Sequence, residues 1–181
     1  MNPDTKLTVR EVQLEDIYLL ADYWFSASKE FLKGMGADIN KLPSRDAFLE
    51  MINLQIITDY PAKTSYTLIW EEDEKPIGHT NVNPISYGHE AKMHLHLWHP
   101  SDRKKGRGTQ LILKSLPFYF ENLRIKTLIC EPYSLNPAPN RTLEKTGFIF
   151  EKCYYTIPGS LNFEQEVNRW VMTSEQYKKT Y

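Results

Sequence analysis

The sequence predicts an α+β fold: a mostly antiparallel mixed sheet with one parallel crossover, flanked by about four helices. Three observations predict it. Short segments with apolar and polar residues in alternation recur along the chain, and segments with helical spacing of apolar residues fall between them. One helical segment, Gly106 to Glu121, joins two strand segments as a crossover, which brings parallel pairing into an otherwise antiparallel order.

Taken in order, Leu7 to Val12 alternates strictly and reads as a half-buried strand. From Glu15 to Ala27 the residues Ile17, Leu20, Ala21, Trp24 and Phe25 form one helical stripe, with Asp16 favouring its positive end. The stretch Lys33 to Pro43, with Gly34, Gly36 and Asp38, reads as a loop. Ser44 caps a second helix through Phe48, Met51, Ile52 and Ile56 that stops before Pro61. A meander follows: Tyr66 to Trp70, a turn over Glu71 to Pro76, Ile77 to Val82, then Lys92 to Trp98. Gly106 to Glu121 is a helix in which Pro117 lacks a donor and crowds the preceding turn, predicting a kink near Leu113 or an early end. Thr127 to Cys130 is a short buried strand and Ala138 to Lys145 a helix closed by Gly147. Phe148 to Tyr155 and Val167 to Met172 are the last two strands.

With 181 residues, of which 41% are hydrophobic and 25% charged, the chain is expected to form one domain over residues 1–181. The 22 Lys and Arg against 23 Asp and Glu leave a net charge of -1, so no general basic field exists for nucleic acid or an anionic membrane. Neither partner is expected. The opening Met1 to Lys6 has no apolar stretch like that of a signal peptide, no run approaches the length of a membrane span, and a cytoplasmic location is expected. Cys130 and Cys153 are too far apart for a Cys-x-x-Cys pair and read as reduced thiols.

Crossover units place ligands beyond the carboxyl ends of their strands, which directs attention to Trp98 through Thr109. This stretch holds Arg103, Lys104, Lys105, Gly106, Arg107 and Gly108 at the start of a helix, with Asp102 as the one nearby acid. Orphan amides at a helix N-terminus attract an anion, and glycines let backbone approach a phosphate closely. The pattern therefore reads as a pyrophosphate site. It is neither a P-loop, since Thr109-Gln110 stand after Gly108, nor a dinucleotide fingerprint, since Leu111 stands where a third glycine is needed.

The spacing of Arg103, Gly106 and Gly108 resembles the Arg/Gln-x-x-Gly-x-Gly/Ala signature of the GNAT superfamily of acyl-CoA-dependent N-acyltransferases. The run from Asn136 to Phe148, ending in Glu144-Lys145-Thr146-Gly147-Phe148, is similar to that family's later segment. The resemblance covers roughly Leu7 to Met172. It implies a GNAT-like fold with a V-shaped splay between the fourth and fifth strands, where acetyl-CoA would lie as co-substrate. The backbone of Leu97 and Trp98 would meet the pantetheine arm, and amides from Lys104 to Thr109 would hold the pyrophosphate. Asn136, with Asn140 as second candidate, would touch the pantetheine arm; the alternative for an asparagine at this place is a helix cap.

Direct acyl transfer to an amine needs the amine neutral. For a lysine-like group that costs about 4.6 kcal/mol at pH 7, so a base or a weakly basic acceptor is required. All five histidines fall between His79 and His99, and His94 and His96 share one face of a strand. The neighbourhood looks most similar to siderophore-biosynthesis and aminoglycoside 6'-type acetyltransferases, through a histidine before the phosphate turn, matched by His96, and through Glu131-Pro132-Tyr133-Ser134-Leu135-Asn136. His96 and Glu131, with His94 in reserve, are the candidate base or acceptor-binding groups. Where many relatives carry a tyrosine that protonates the departing thiolate, this chain has Leu143; Tyr133, Ser134 or water would have to substitute, or the thiolate would leave unassisted.

The expected activity is thus N-acetyl transfer from acetyl-CoA to a primary amine or hydroxylamine of a small molecule, by direct attack in a ternary complex. Two other readings compete. His94, His96 and His99 could hold a metal, but Arg103, Lys104 and Lys105 would repel a cation, and no metal is expected. A non-catalytic acyl-CoA-binding module is the second. The identity of the acceptor and a homodimer are left open.

Overall fold

A computed structural model describes residues 5–102 and 106–180. Its elements are β1 (Leu7–Glu11), α1 (Ile17–Phe25), α2 (Lys29–Gly34), α3 (Arg45–Ile57), β2 (Tyr66–Glu72), β3 (Lys75–Ser86), β4 (Glu90–Leu97), α4 (Arg107–Pro117), β5 (Thr127–Cys130), α5 (Pro137–Lys145), β6 (Ile149–Thr156), β7 (Gln165–Thr173) and α6 (Ser174–Thr180). The seven strands form one sheet in the order β1-β2-β3-β4-β5-β7-β6, antiparallel throughout except for β4 with β5. No helix among the described residues is long and apolar enough to cross a membrane.

Helices cover both faces of the sheet, which is why β2 is buried almost throughout rather than in alternation. Leu68 and Trp70 point into the larger core with Val82, Met93, Leu111 and Leu116 of α4. Ile69, between them, points to the other face and packs with Ile17, Leu20 and Ala21 of α1 and Phe48 and Ile52 of α3. Ser44 caps α3 as expected, its hydroxyl accepting from Ala47 N at 3.2 Å. Asp16 does not cap α1; it is 1% exposed and binds the Arg10 guanidinium through both carboxylate oxygens, at 2.5 and 2.9 Å.

Besides the closing α6, which the sequence reading did not include, three elements depart from it. The helix α2 lies partly within the expected loop, started by the Ser28 hydroxyl accepting from Phe31 N and followed by Gly36 at φ 82. The turn between β2 and β3 is tighter than expected, with only Asp73 and Glu74, both at positive φ. Pro117, expected to kink the helix near Leu113 or end it early, is the last residue of α4, and the chain continues as a π-helical turn, Phe118–Asn122. A proline has no N–H to return to the carbonyl four residues back, and widening the next turn keeps Tyr119 and Phe120 in the core.

The feature that positions the site is where the β4–β5 ladder stops. Its register runs from Glu90↔Thr127 to Met93↔Cys130 and no further. Beyond Cys130 the chain follows β7 instead: Asn168 N donates to Pro132 O at 3.1 Å and Ser134 N to Glu166 O at 3.0 Å. Pro132 has no N–H of its own, which suits the end of a ladder. The carboxyl half of β4, His94–Leu97, stays paired to β3 but not to β5. The expected splay is therefore present, and its cause is the departure of one strand along its other neighbour.

Candidate active site

Two parts of this opening have distinct chemistry. At one end stands the N-terminus of α4. Gly106 is its N-cap at φ 71, a left-handed conformation that favours glycine, and among the described residues no side-chain cap is made to the first-turn amides of Arg107, Gly108 and Thr109. Among the described residues, a Cβ on Gly108 would meet the Thr142 methyl at 3.7 Å, an ordinary contact. The Arg107 side chain, in contrast, is engaged: it pairs with Asp102 at 2.9 Å and with Glu72 at the end of β2. Its charge ties α4 to the sheet rather than standing free at the helix start. Arg103, Lys104 and Lys105 lie outside the described residues.

Along the opened half of β4, His94, Leu95, His96, Leu97 and Trp98 are all half-buried, whereas Ala91 and Met93 before them are buried. His96 opposes His79 across the β3–β4 ladder, and the two rings stack at 4.6 Å with 16° between their planes. Tyr23 from α1 places its hydroxyl 3.1 Å from His96 Nδ1 and 3.2 Å from the Met35 sulfur. Trp24 meets the same imidazole edge-on at 5.2 Å. The Trp98 indole N–H donates to His79 Nδ1 at 2.8 Å. His94 has Nε2 3.1 Å from the Asn83 carbonyl and lies beneath Gly159, where an added Cβ would come within 3.2 Å of its ring.

Burial keeps both flanking histidines uncharged. His79, 3% exposed, is pushed down to about 3 by burial, with repulsion from His94 adding to it. His94 is lowered by burial, against an opposing pull from the Asn83 carbonyl and Glu131. The sign for stability follows. An unfolded histidine takes up its proton near pH 6.5 while folded His79 refuses it until about 3, so stability is complete above pH 6.5 and drains as pH falls below it. Between pH 6.5 and pH 5 this one group should remove about 2 kcal/mol. Urea denaturation at the two pH values checks it, and His79→Asn should flatten the slope by that amount.

Glu131 follows β5 on the same face, with its side chain 1% exposed. Lys92 Nζ lies 2.7 Å from one carboxylate oxygen, Arg169 Nη1 lies 2.9 Å from the other, and the Tyr154 hydroxyl donates to it as well. Burial pushes this carboxyl up, but Lys92, Tyr154 and Arg169 together outweigh that and hold it below the usual carboxylate range. So placed, Glu131 is an anchor for two cations and a weak base. Asn136 is the N-cap of α5, its oxygen accepting from Ala138 N at 3.3 Å. Asn140 makes four hydrogen bonds: its nitrogen donates to the Tyr133 and Asn136 carbonyls, and its oxygen accepts from Asn168 and the Trp170 indole. Leu143 is fully buried in the core.

The sequence reading missed Tyr23 and Trp24 as neighbours of His96, and it placed acceptor specificity in the loops Lys33 to Pro43 and Tyr155 to Asn162 without their pairing into a roof. Tyr23 and Trp24 sit on a helix whose inward stripe was legible, but nothing in the sequence pairs that stripe with His96. The roof is a junction between the segment after α2 and the β6–β7 loop. Asp38 N donates to Leu161 O at 2.8 Å, Phe163 N to Gly36 O at 3.3 Å, and the Asn162 and Gln165 amides both donate to Gly36 O. Gly36 suits the junction because its backbone is left-handed at φ 82, where a side chain would be strained, and a Cβ would also displace the Gln165 amide. Among the described residues no group of three or more His, Cys, Asp or Glu side chains is arranged to hold a metal ion.

Comparisons with known proteins agree with this architecture. The spermidine N-acetyltransferase of Vibrio cholerae, solved with CoA and spermine, superposes with a TM-score of 0.76 at 20% identity, over 95% of this chain and 98% of that one. A ribosomal-protein α-N-acetyltransferase in complex with coenzyme A gives 0.74 at 14% identity, over 94% and 95%. The aminoglycoside acetyltransferase AAC(6')-Ib with coenzyme A gives 0.72 at 16% identity, over 97% and 99%. At these identities the likeness is one of fold. No curated protein matches the chain in sequence. A family model described as the acetyltransferase (GNAT) domain matches residues 6–149. With β4 and β5 parted beyond Met93 and Cys130, that match places the chain in its family: it belongs to the GNAT family of acetyl-CoA-dependent N-acetyltransferases.

Proposed function

We propose that the protein transfers an acetyl group from acetyl-CoA to a primary amine or hydroxylamine of a small molecule, by direct attack with both substrates bound. The observation that carries this reading is the end of the β4–β5 ladder at Met93 and Cys130, which opens His94–Trp98 beside a face lined by imidazoles and aromatic rings. The relatives of known structure include enzymes named for amine substrates, spermidine and aminoglycosides.

In this reading the pantetheine arm runs beside Leu97 at the end of β4, whereas the Trp98 amide, also expected to meet it, donates to Ile77 O on β3 instead. The amides of Gly106, Arg107, Gly108 and Thr109 hold the pyrophosphate, with Arg103, Lys104 and Lys105 supplying charge. Acetyl-CoA supplies the activated thioester. Asn136 and Asn140, committed to the cap and to β7, shape that side of the cleft chiefly by holding α5 in place. The acceptor lies against the α1 face of β4, where His96 is the group placed to receive or orient its proton and His94 stands beside it. Glu131 keeps Lys92 and Arg169 neutralised at the edge of that face. The uncharged histidines favour an acceptor that arrives neutral, because a lysine-like ammonium would have to surrender its proton first, at about 4.6 kcal/mol. A substituted hydroxylamine meets that condition at pH 7.

The test is calorimetry with acetyl-CoA, followed by CoA release with a panel of primary amines and N-alkylhydroxylamines. Heat on titration and CoA release with at least one acceptor are the expected results. Heat without release from any acceptor would make the chain a binding module, the outcome that Leu143 in place of a thiolate-protonating tyrosine would favour. Absence of heat would overturn the reading.

A further inference from the structure

We infer that His79 and Trp98 are positioning residues that act through His96, holding its imidazole at one tilt on the acceptor face and tying that tilt to the β4 backbone beside the cofactor. The inference rests on the acetyl-transfer reading for what His96 does, but its geometry stands alone. An imidazole can turn about its ring axis unless both its edge and its face are held. The Nδ1 edge of His96 is met by the Tyr23 hydroxyl at 3.1 Å, and its face lies on His79 at 4.6 Å and 16°.

His79 can serve as that platform because it is itself fixed. Its Nδ1 accepts the Trp98 indole N–H at 2.8 Å, which assigns its proton to Nε2 and leaves the ring neutral. Tyr23 meets it edge-on at 5.4 Å. A charged ring here would oppose any charge on His96, whereas a neutral one lets His96 gain or share a proton. The charged groups on the same face, Lys92 and Glu131, act on His94 and are paired with each other.

Trp98 supplies the link to the cleft. Its amide donates to Ile77 O at 3.0 Å, which fixes the end of β4, while its indole reaches back to His79. Movement of this backbone when acetyl-CoA binds would therefore pass through one indole hydrogen bond to the ring beneath His96. Sequence alone shows only that the five histidines cluster between His79 and His99; the ladder pairing of His79 with His96 and the return of Trp98 require the register.

The test uses the full chain labelled with 15N-histidine, read by long-range proton–nitrogen correlation across the pH range in which free histidine titrates. His79 is expected in the Nε2–H form and without a titration. In Trp98→Phe and in His79→Asn the His96 midpoint should move by about half a pH unit or more, and its nitrogen shifts should approach those of a freely turning imidazole. Saturating acetyl-CoA, added to the unmodified protein, should shift His79 and His96 but not the exposed His89. That second measurement serves if either variant fails to fold.

Unchanged His96 shifts and midpoint in both folded variants would overturn the inference and leave His79 and Trp98 as packing alone. Acetyl-CoA that binds without moving His79 or His96 would overturn the link to the cofactor strand. If calorimetry shows no binding of acetyl-CoA at all, the acetyl-transfer reading fails, and the variants still decide whether His79 and Trp98 position His96.

Discussion

Replacing Glu131 by glutamine is expected to destabilise the protein by about 3 kcal/mol, the low end of what removing one partner from a buried ion pair costs. The side chain is 1% exposed and faces Lys92 at 2.7 Å, Arg169 at 2.9 Å and the Tyr154 hydroxyl. Glutamine keeps the shape and one acceptor oxygen but leaves two cations, each 22% exposed, without the charge that offsets their desolvation. Arg169 retains Glu151 at 2.5 Å, which is why the low end applies. The carboxyl of Glu131 is held below its usual range, so its stabilisation is present above the unfolded value of 4.5 and is lost as pH falls through the folded one. Urea denaturation at neutral pH and at pH 4 reads both effects. A loss below about 1 kcal/mol at neutral pH would mean that the three partners are no more than a surface network.

Gly78→Ala is expected to be the most damaging small substitution at the cleft. Gly78 pairs with Leu97, and a Cβ there would lie 2.4 Å from the His96 carbonyl oxygen and 3.2 Å from the Leu97 Cα. Both are backbone atoms, so β4 itself must move, at the residues proposed to meet the pantetheine arm. Overpacking of this kind destabilises by about 2 kcal/mol. Acetyl-CoA affinity should fall about tenfold or more, equivalent to about 1.4 kcal/mol. Gly34→Ala is the control, since a Cβ at Gly34 meets nothing within 4 Å. Calorimetric titration of both variants decides: equal affinities would show that the His96–Leu97 edge is not where the cofactor binds.

The contrast between what the sequence reveals and what it conceals follows from the range of the interactions. Period and capping are local, so β1, the meander, α3 with Ser44 at its head and β5 were all legible in place. The Gly106 turn was legible because helix-start chemistry lies within a few residues. Glu131 was proposed as a base or acceptor-binding group from the run Glu131 to Asn136 that carries the resemblance; the groups that restrain it, Lys92, Tyr154 and Arg169, come from three other strands and do not show in that run. Arg107 looked available with Asp102 as the one nearby acid, until Glu72 reached it from β2. Asn140 illustrates the converse, since its four partners come from the adjoining segment and from β7, and only the fold saturates it. The short α2 and closing α6 carry too few residues for a hydrophobic period to register.

The course of residues 131–134 along β7 has a consequence for kinetics. Since this segment is already hydrogen-bonded along β7 and Pro132 offers no amide, β5 does not zip closed against the carboxyl half of β4. A ligand arriving there displaces solvent but does not first have to pry two strands apart. Association should then proceed in one step at a rate set by encounter, with no slow opening phase beforehand.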